Sequence, residues 1–213
     1  MPERGFRPST DSRVLTRWTR VRDGERTADL GCGIGNIAVQ LAAQRNIEMH
    51  GFELQEELVR IARRNVQNNR ALLRGSVEIH QWDVRRGAPQ KRRGQFDRVL
   101  CNPPWHRKGS GRLSPDPIRA AATHELEGAI ADFLRCAAQL LRPGGSAHFI
   151  LIAGRHEELL QCASEAGLRV ASIKEIHTRS LDAPPKWRLY RLRDKAYVHG
   201  CRRLAPLLIA SAQ

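Results

Sequence analysis

The chain has 213 residues, 41% of them hydrophobic, and a net charge of +14 from 36 Lys+Arg against 22 Asp+Glu. That length suits one domain with a substantial core, and a single domain over residues 1–213 is expected. No run approaches the roughly 18 apolar residues of a membrane span, and the opening MPERGFRPST is charged where a signal peptide is apolar. The five cysteines (Cys32, Cys101, Cys136, Cys162 and Cys201) are odd in number and never spaced Cys-x-x-Cys. Reduced thiols in a cytoplasmic setting follow, without a disulfide framework or zinc site. The eight histidines show no ligand cluster with carboxylates in the sequence, so no metal is expected. The positive charge suits a polyanionic partner, nucleic acid ahead of an anionic membrane. A monomer is the default expectation.

In chain order, strand and helix patterns alternate, which implies a parallel α/β sheet flanked by helices. Residues 26–30 (RTADL) read as a short strand ending in a glycine-rich turn, and 36–44 (NIAVQLAAQ) as the helix after it. Residues 47–53 are the second strand. Residues 55–69 form a helix with Leu54, Leu58, Ile61, Ala62 and Val66 on one face at the 3.6-residue period. Residues 77–83 (VEIHQWD) alternate and end on Asp83, and 96–102 (FDRVLCN) are a buried fourth strand. Thr123 is placed to cap a helix running to Leu141, which RPGG at 142–145 stops. Residues 146–153 read as a fifth strand and 155–166 as a helix closed by Gly167. A final strand pair lies on either side of Pro184 and Pro185. Residues 1–24 are an N-terminal segment, and 194–213 are a tail the pattern does not assign.

The turn DLGCGIGN (29–36) sets Gly31, Gly33 and Gly35 at alternate positions between a strand and a helix, so the backbone can pass close to a ligand. A dinucleotide fingerprint places its third glycine three positions after the second. Here the separation is two, which resembles motif I of class I S-adenosylmethionine (SAM) methyltransferases. Asp29 is expected to order the turn or to meet the methionine amino group. Glu53 ends the second strand, where a carboxylate accepts from both ribose hydroxyls of a nucleoside. Asp83 ends the third, placed to accept from the adenine amino group. Three carboxylates at consecutive strand ends point to SAM more strongly than any one of them.

The fourth strand delivers Asn102, Pro103, Pro104 and Trp105 to the same edge. Proline fixes φ and lacks an N–H, so the pair holds a rigid turn whose carbonyls remain acceptors. The Asn102 side-chain oxygen and the Pro103 carbonyl can together take both hydrogens of one –NH2 group. A ring-conjugated amine is a poor nucleophile because its lone pair is delocalised, and two acceptors favour the pyramidal nitrogen that attacks. Trp105 supplies a flat face on which a base can stack.

This stretch resembles the Asn/Asp-Pro-Pro-aromatic motif of methyltransferases acting on planar amines. GFRPSTDSRVL (5–15), NPPWHRKGSGRLS (102–114) and ATHELEGAIADFLRCAAQLLRPGG (122–145) are similar to segments of the bacterial tRNA1(Val) adenine-37 N6-methyltransferase family. The resemblance covers about residues 5–193 and implies a seven-stranded Rossmann-like, mostly parallel sheet with one antiparallel strand. It also implies Asn102 to Trp105 around an adenine, with Thr10 and Asp11 near the cofactor or target. Trp105 stands where tyrosine is commoner in that family, and Thr123 where a basic residue usually precedes His124 and Glu125. His124 and Glu125 read as a helix start, not as catalytic groups.

Arg107, Lys108 and Arg112 follow the catalytic turn, and Arg85, Arg86, Lys91, Arg92 and Arg93 follow the third strand. Both groups are expected at the same sheet edge as a phosphate track for RNA, probed by salt dependence. The leading function is SAM-dependent N-methylation of an exocyclic amine, adenine N6 in tRNA. The alternatives are a protein glutamine N5-methyltransferase, another RNA or small-molecule amine methyltransferase, and a non-catalytic RNA-binding relative.

Overall fold

The computed structural model describes residues 9–103 and 129–209. Among them lie β1 (Arg26–Leu30), β2 (Glu48–Glu53), β3 (Ser76–Gln81), β4 (Phe96–Cys101), β5 (Leu141–Ile152), β6 (Leu168–His177), β7 (Trp187–Asp194) and β8 (Arg202–Leu208). They make one sheet in the order β3-β2-β1-β4-β5-β7-β6-β8. β7 runs antiparallel to both its neighbours, while the other pairings are parallel. Sequence order reverses between β1 and β4, which lie side by side, and open α/β sheets bind ligands at such a switch point.

The helices α1 (Thr10–Trp18), α2 (Asn36–Gln44), α3 (Glu56–Asn68), α4 (Ile130–Leu140) and α5 (His156–Glu165) cover both faces. Leu15 of α1 and Ile37, Ala38 and Leu41 of α2 pack on Met49, Leu100, Ile150 and Leu189. Val59 and Ala62 of α3 meet Cys32 and Ile79 on that side. Across the sheet, Phe133, Leu134, Ala137 and Leu159 of α4 and α5 bury Leu30, Phe52, Phe96 and Phe149. Each fully buried Leu or Phe contributes about 1.5–3 kcal/mol over leaving it exposed, so the two faces together fix the sheet.

The described strands and helices lie near where the periodicity predicts them, except that β5 begins at Leu141 and takes in RPGG, which the sequence reading placed before the strand; two further differences concern β8 and α1. The sheet has eight strands where the family resemblance implies seven, because part of the unassigned tail adds β8 beside β6. β8 is mostly exposed and carries Pro206 mid-strand, which an edge position tolerates. It therefore shows neither alternation nor a run free of breakers. The second difference is α1, whose inward stripe includes the buried Asp11 ahead of Leu15 and Thr16, so polar residues interrupt the apolar period. The proposed Thr123 cap, His124 and Glu125 lie outside the described residues; the helix that ends before RPGG is described as Ile130–Leu140.

Candidate active site

Parallel pairing brings three strand ends to one place. Leu30 of β1 is in register with Phe52 of β2 and Cys101 of β4. The next residue on each strand is Gly31, Glu53 and Asn102. Past Leu30 the chain turns sharply: Gly31, Gly33 and Gly35 have φ of 68°, 55° and 79°. Gly35 N-caps α2 in the left-handed region, with Ala62 of α3 only 3.4 Å from where its Cβ would be. A side chain there meets both a strained backbone and a packed helix.

Hydrogen bonds hold the turn to its surroundings. Gly31 N and Cys32 N both donate to Phe52 O, at 2.8 and 3.1 Å. Gly33 N donates to Glu53 Oε2 at 2.9 Å, and Gln55 N to Glu53 Oε1 at 3.0 Å. Asn65 Nδ2 donates to Ile34 O at 2.9 Å, tying α3 to the loop. Glu53 therefore shapes the turn before any ligand arrives. Asn65, which holds the loop in place, was not singled out by the sequence reading. Its signal was a carboxamide one turn beyond Ala62, on the inward face of α3.

Asp29 is buried, and its Oδ2 has no hydrogen-bond partner. Burial and then the nearby Glu53 carboxylate push its pKa up to about 8. A cation placed beside Asp29 would offset both effects and favour its ionised form.

Asp83 lies two residues beyond β3 and caps a short 3-10 turn, Val84–Arg86. Its Oδ1 accepts from Arg85 N and Nε, both at 2.9 Å, and its Oδ2 from Arg85 Nη2 at 2.8 Å. The Arg85 side chain holds the Asp83 carboxyl below its usual range. Arg85 is thus turned onto Asp83, while Arg86 is exposed in the same turn. The expectation that Lys91, Arg92 and Arg93 share this edge is corrected. Gln95 accepts from Arg26 Nη1 at the start of β1, so this stretch has returned to the opposite edge. Arg92 there pairs with Glu78 at 3.1 Å.

Asn102 follows β4, and its amide faces α1. Nδ2 donates to Asp11 Oδ2 at 2.6 Å and to Ser12 Oγ at 3.1 Å. Those two acceptors take both hydrogens of Nδ2, so Asn102 meets any further donor through Oδ1. Asp11, grouped with the cofactor residues on sequence, has the Asn102 amide as its partner, and Ser12 was not singled out. Thr10 is exposed at the start of α1, and Pro103 is buried. Pro104, Trp105, Arg107, Lys108 and Arg112 lie outside the described residues.

The family model for the methyltransferase small domain matches residues 9–166, most of the chain. The chain belongs to the methyltransferase small domain family. A tRNA1(Val) (adenine(37)-N6)-methyltransferase from Tolumonas auensis is 30% identical over 82% of this chain and 71% of that protein. One of the same name from Vibrio cholerae is 28% identical over 98% of this chain and 82% of its own length. The crystal structure of an Agrobacterium tumefaciens protein, described as a predicted O-methyltransferase, matches with a TM-score of 0.72 and 22% identity. That match covers 96% of this chain and 90% of the other. The fold is that of class I methyltransferases, and the protein is a SAM-dependent methyltransferase.

The residues at the strand ends fit that cofactor. SAM carries an ammonium and a sulfonium, and Asp29 offers a buried carboxylate oxygen without a partner. Its ribose offers two hydroxyl donors, and Glu53 offers two carboxylate oxygens beside a turn that admits close approach. No side-chain carbon would obstruct that approach at Gly33, where a Cβ would meet nothing within 4 Å.

Proposed function

We propose that this methyltransferase modifies an exocyclic amine of a nucleic-acid base, adenine N6 in tRNA. The observation that carries the reading is the orientation of Asn102. Nδ2 is turned onto Asp11 and Ser12 of α1, and in this reading Oδ1 is the atom that accepts from the acceptor group. A substrate –NH2 matches that oxygen, whereas a deprotonated oxygen nucleophile would be repelled by it. The names of the curated relatives and the charge of +14 support the same substrate class.

In this reading Gly31, Gly33, Gly35, Asp29, Glu53 and Asp83 hold SAM, whose sulfonium makes the methyl group electrophilic. Asn102 Oδ1 and the Pro103 carbonyl take the two amine hydrogens and bring the nitrogen lone pair out of conjugation. Proximity and alignment supply the rest of the acceleration. Trp105 stacks on the base, and Arg85, Arg86, Arg107, Lys108 and Arg112 meet phosphates. The chain is read as one domain, since β8 hydrogen-bonds the tail into the sheet. No helix among the described residues is long and apolar enough to cross a membrane, and we read the enzyme as cytoplasmic.

The test is methyl transfer from labelled SAM to unmodified tRNA, rRNA and total protein separately, followed by mass spectrometry. Labelled N6-methyladenosine from tRNA is expected, and Asn102→Ala should abolish it while still binding SAM. Label in N5-methylglutamine, with none in RNA, would overturn the substrate class.

A further inference from the structure

Two short motifs lie side by side on the sheet: Glu48-x-His50 on β2 and Glu78-x-His80 on β3. The strands are parallel, with His50 opposite Glu78 and Phe52 opposite His80. Alternate residues of a strand share a face, so all four side chains of the two motifs project to one side of the sheet. There His50 Nδ1 is 2.9 Å from His80 Nε2. Glu78 Oε2 is 3.4 Å from the first nitrogen and 3.6 Å from the second.

We propose that His50 Nδ1, His80 Nε2 and Glu78 bind a divalent transition-metal ion of the zinc class. Around a tetrahedral ion with bonds of about 2.0–2.1 Å, ligand atoms stand about 3.3 Å apart. The three separations bracket that value. His50 is buried, which protects its ligand atom from competing water. Its other nitrogen, Nε2, lies 2.8 Å from Glu48 Oε1. A carboxylate there keeps the proton on Nε2 and turns the Nδ1 lone pair towards the ion, the usual outer support of a metal-bound imidazole.

Without an ion, the His80 Nε2–H donates to His50 Nδ1. Binding therefore requires His80 to carry its proton on Nδ1. Two groups oppose a cation: Arg92 Nη2, 3.1 Å from the Glu78 oxygen, and Arg63, whose charge acts on His80. None of the three ligands is among the proposed cofactor or catalytic residues, although His80 stacks on Phe52, whose carbonyl accepts from Gly31 and Cys32 of the glycine turn. Its position suggests the work it does. β3 is the edge strand of the sheet and leads directly to Asp83, so an ion held between β2 and β3 would clamp that edge.

The test uses untagged full-length protein freed of metal by chelation. It is titrated with Zn2+ in a calorimeter and with Co2+ in a spectrophotometer. One equivalent is expected, with visible bands of a tetrahedral nitrogen–oxygen site and no sulfur-to-cobalt charge transfer. Glu78→Gln and His80→Ala should each weaken Zn2+ binding by 10-fold or more, and Arg92→Ala should tighten it. The wild-type thermal midpoint should rise about 5 °C at a hundredfold excess of Zn2+ over its Kd, and about half as much or less in Glu78→Gln at the same Zn2+ concentration. Glu78 is largely exposed, so its variant carries the test if His80→Ala does not fold. Absence of the cobalt bands would overturn the proposal. So would a charge-transfer band from cysteine, or unchanged affinity in Glu78→Gln.

Discussion

Asn102 Nδ2 lies 2.6 Å from Asp11 Oδ2, joining the turn after β4 to a helix 91 positions away in sequence. The contact decides which end of the Asn102 amide meets substrate, because the carboxylate admits only the NH2 end beside it. Asp11 is therefore a positioning residue in this reading, acting on the acceptor through Asn102.

Asp11→Ala should lower kcat about 100-fold, the cost of a misaligned reacting pair. SAM affinity should change little. Asp11→Asn keeps an oxygen that can accept from Nδ2 and should recover part of the rate. Calorimetry and single-turnover kinetics on the same preparations separate the two effects. If Asp11→Ala loses SAM binding in step with rate, Asp11 is a cofactor residue, as the sequence reading first grouped it.

Asp29 predicts a pH dependence of cofactor binding. Its folded pKa is raised to about 8, first by burial and then by Glu53. For a raised carboxyl, the stabilising contribution is fully present below its unfolded pKa and is lost as pH rises through the folded value. The ligand-free protein should therefore lose stability between about pH 4 and pH 8 from this group. A cation beside Asp29 favours the ionised form, so binding SAM should release a proton below pH 8. Affinity should then rise with pH by up to about tenfold per unit until it levels off near 8. Asp29→Asn should flatten that slope. Calorimetry in two buffers of different ionisation enthalpy measures the proton directly, and identical heats in both would sink the assignment.

The cofactor end of the fold was legible because its signals are local. Gly31, Gly33 and Gly35 are demanded by a turn that no other residue makes cheaply, and Glu53 and Asp83 stand where short strand-patterned runs end. The groups that complete the site were hidden because their partners are distant. Nothing near Asp11 in sequence shows that it faces Asn102, and its polar side chain disguised the helix that carries it. The His50–His80 contact was hidden for a similar reason. Residues 30 positions apart meet only once β2 and β3 pair in one particular register. β8 left no pattern because both its faces are largely exposed, and periodicity is a record of burial.

Asp83 and Arg85 show a competition that the motif alone could not reveal. Arg85 grips both carboxylate oxygens of Asp83, while the proposed roles send Asp83 to the adenine amino group and Arg85 to RNA phosphate. If both roles hold, cofactor and RNA each draw away one member of the pair. Asp83→Ala should weaken SAM binding about tenfold, the value of one hydrogen bond to a charged acceptor. Arg85→Ala frees the carboxylate, so SAM should bind as well or better. RNA should bind more weakly, and the slope of log affinity against log salt should fall by about one. SAM titrations on the two variants, with RNA binding at several salt concentrations, decide the matter. If Arg85→Ala weakens SAM as much as Asp83→Ala does, Arg85 serves to hold the carboxylate in place, and the phosphate track has to be sought without it.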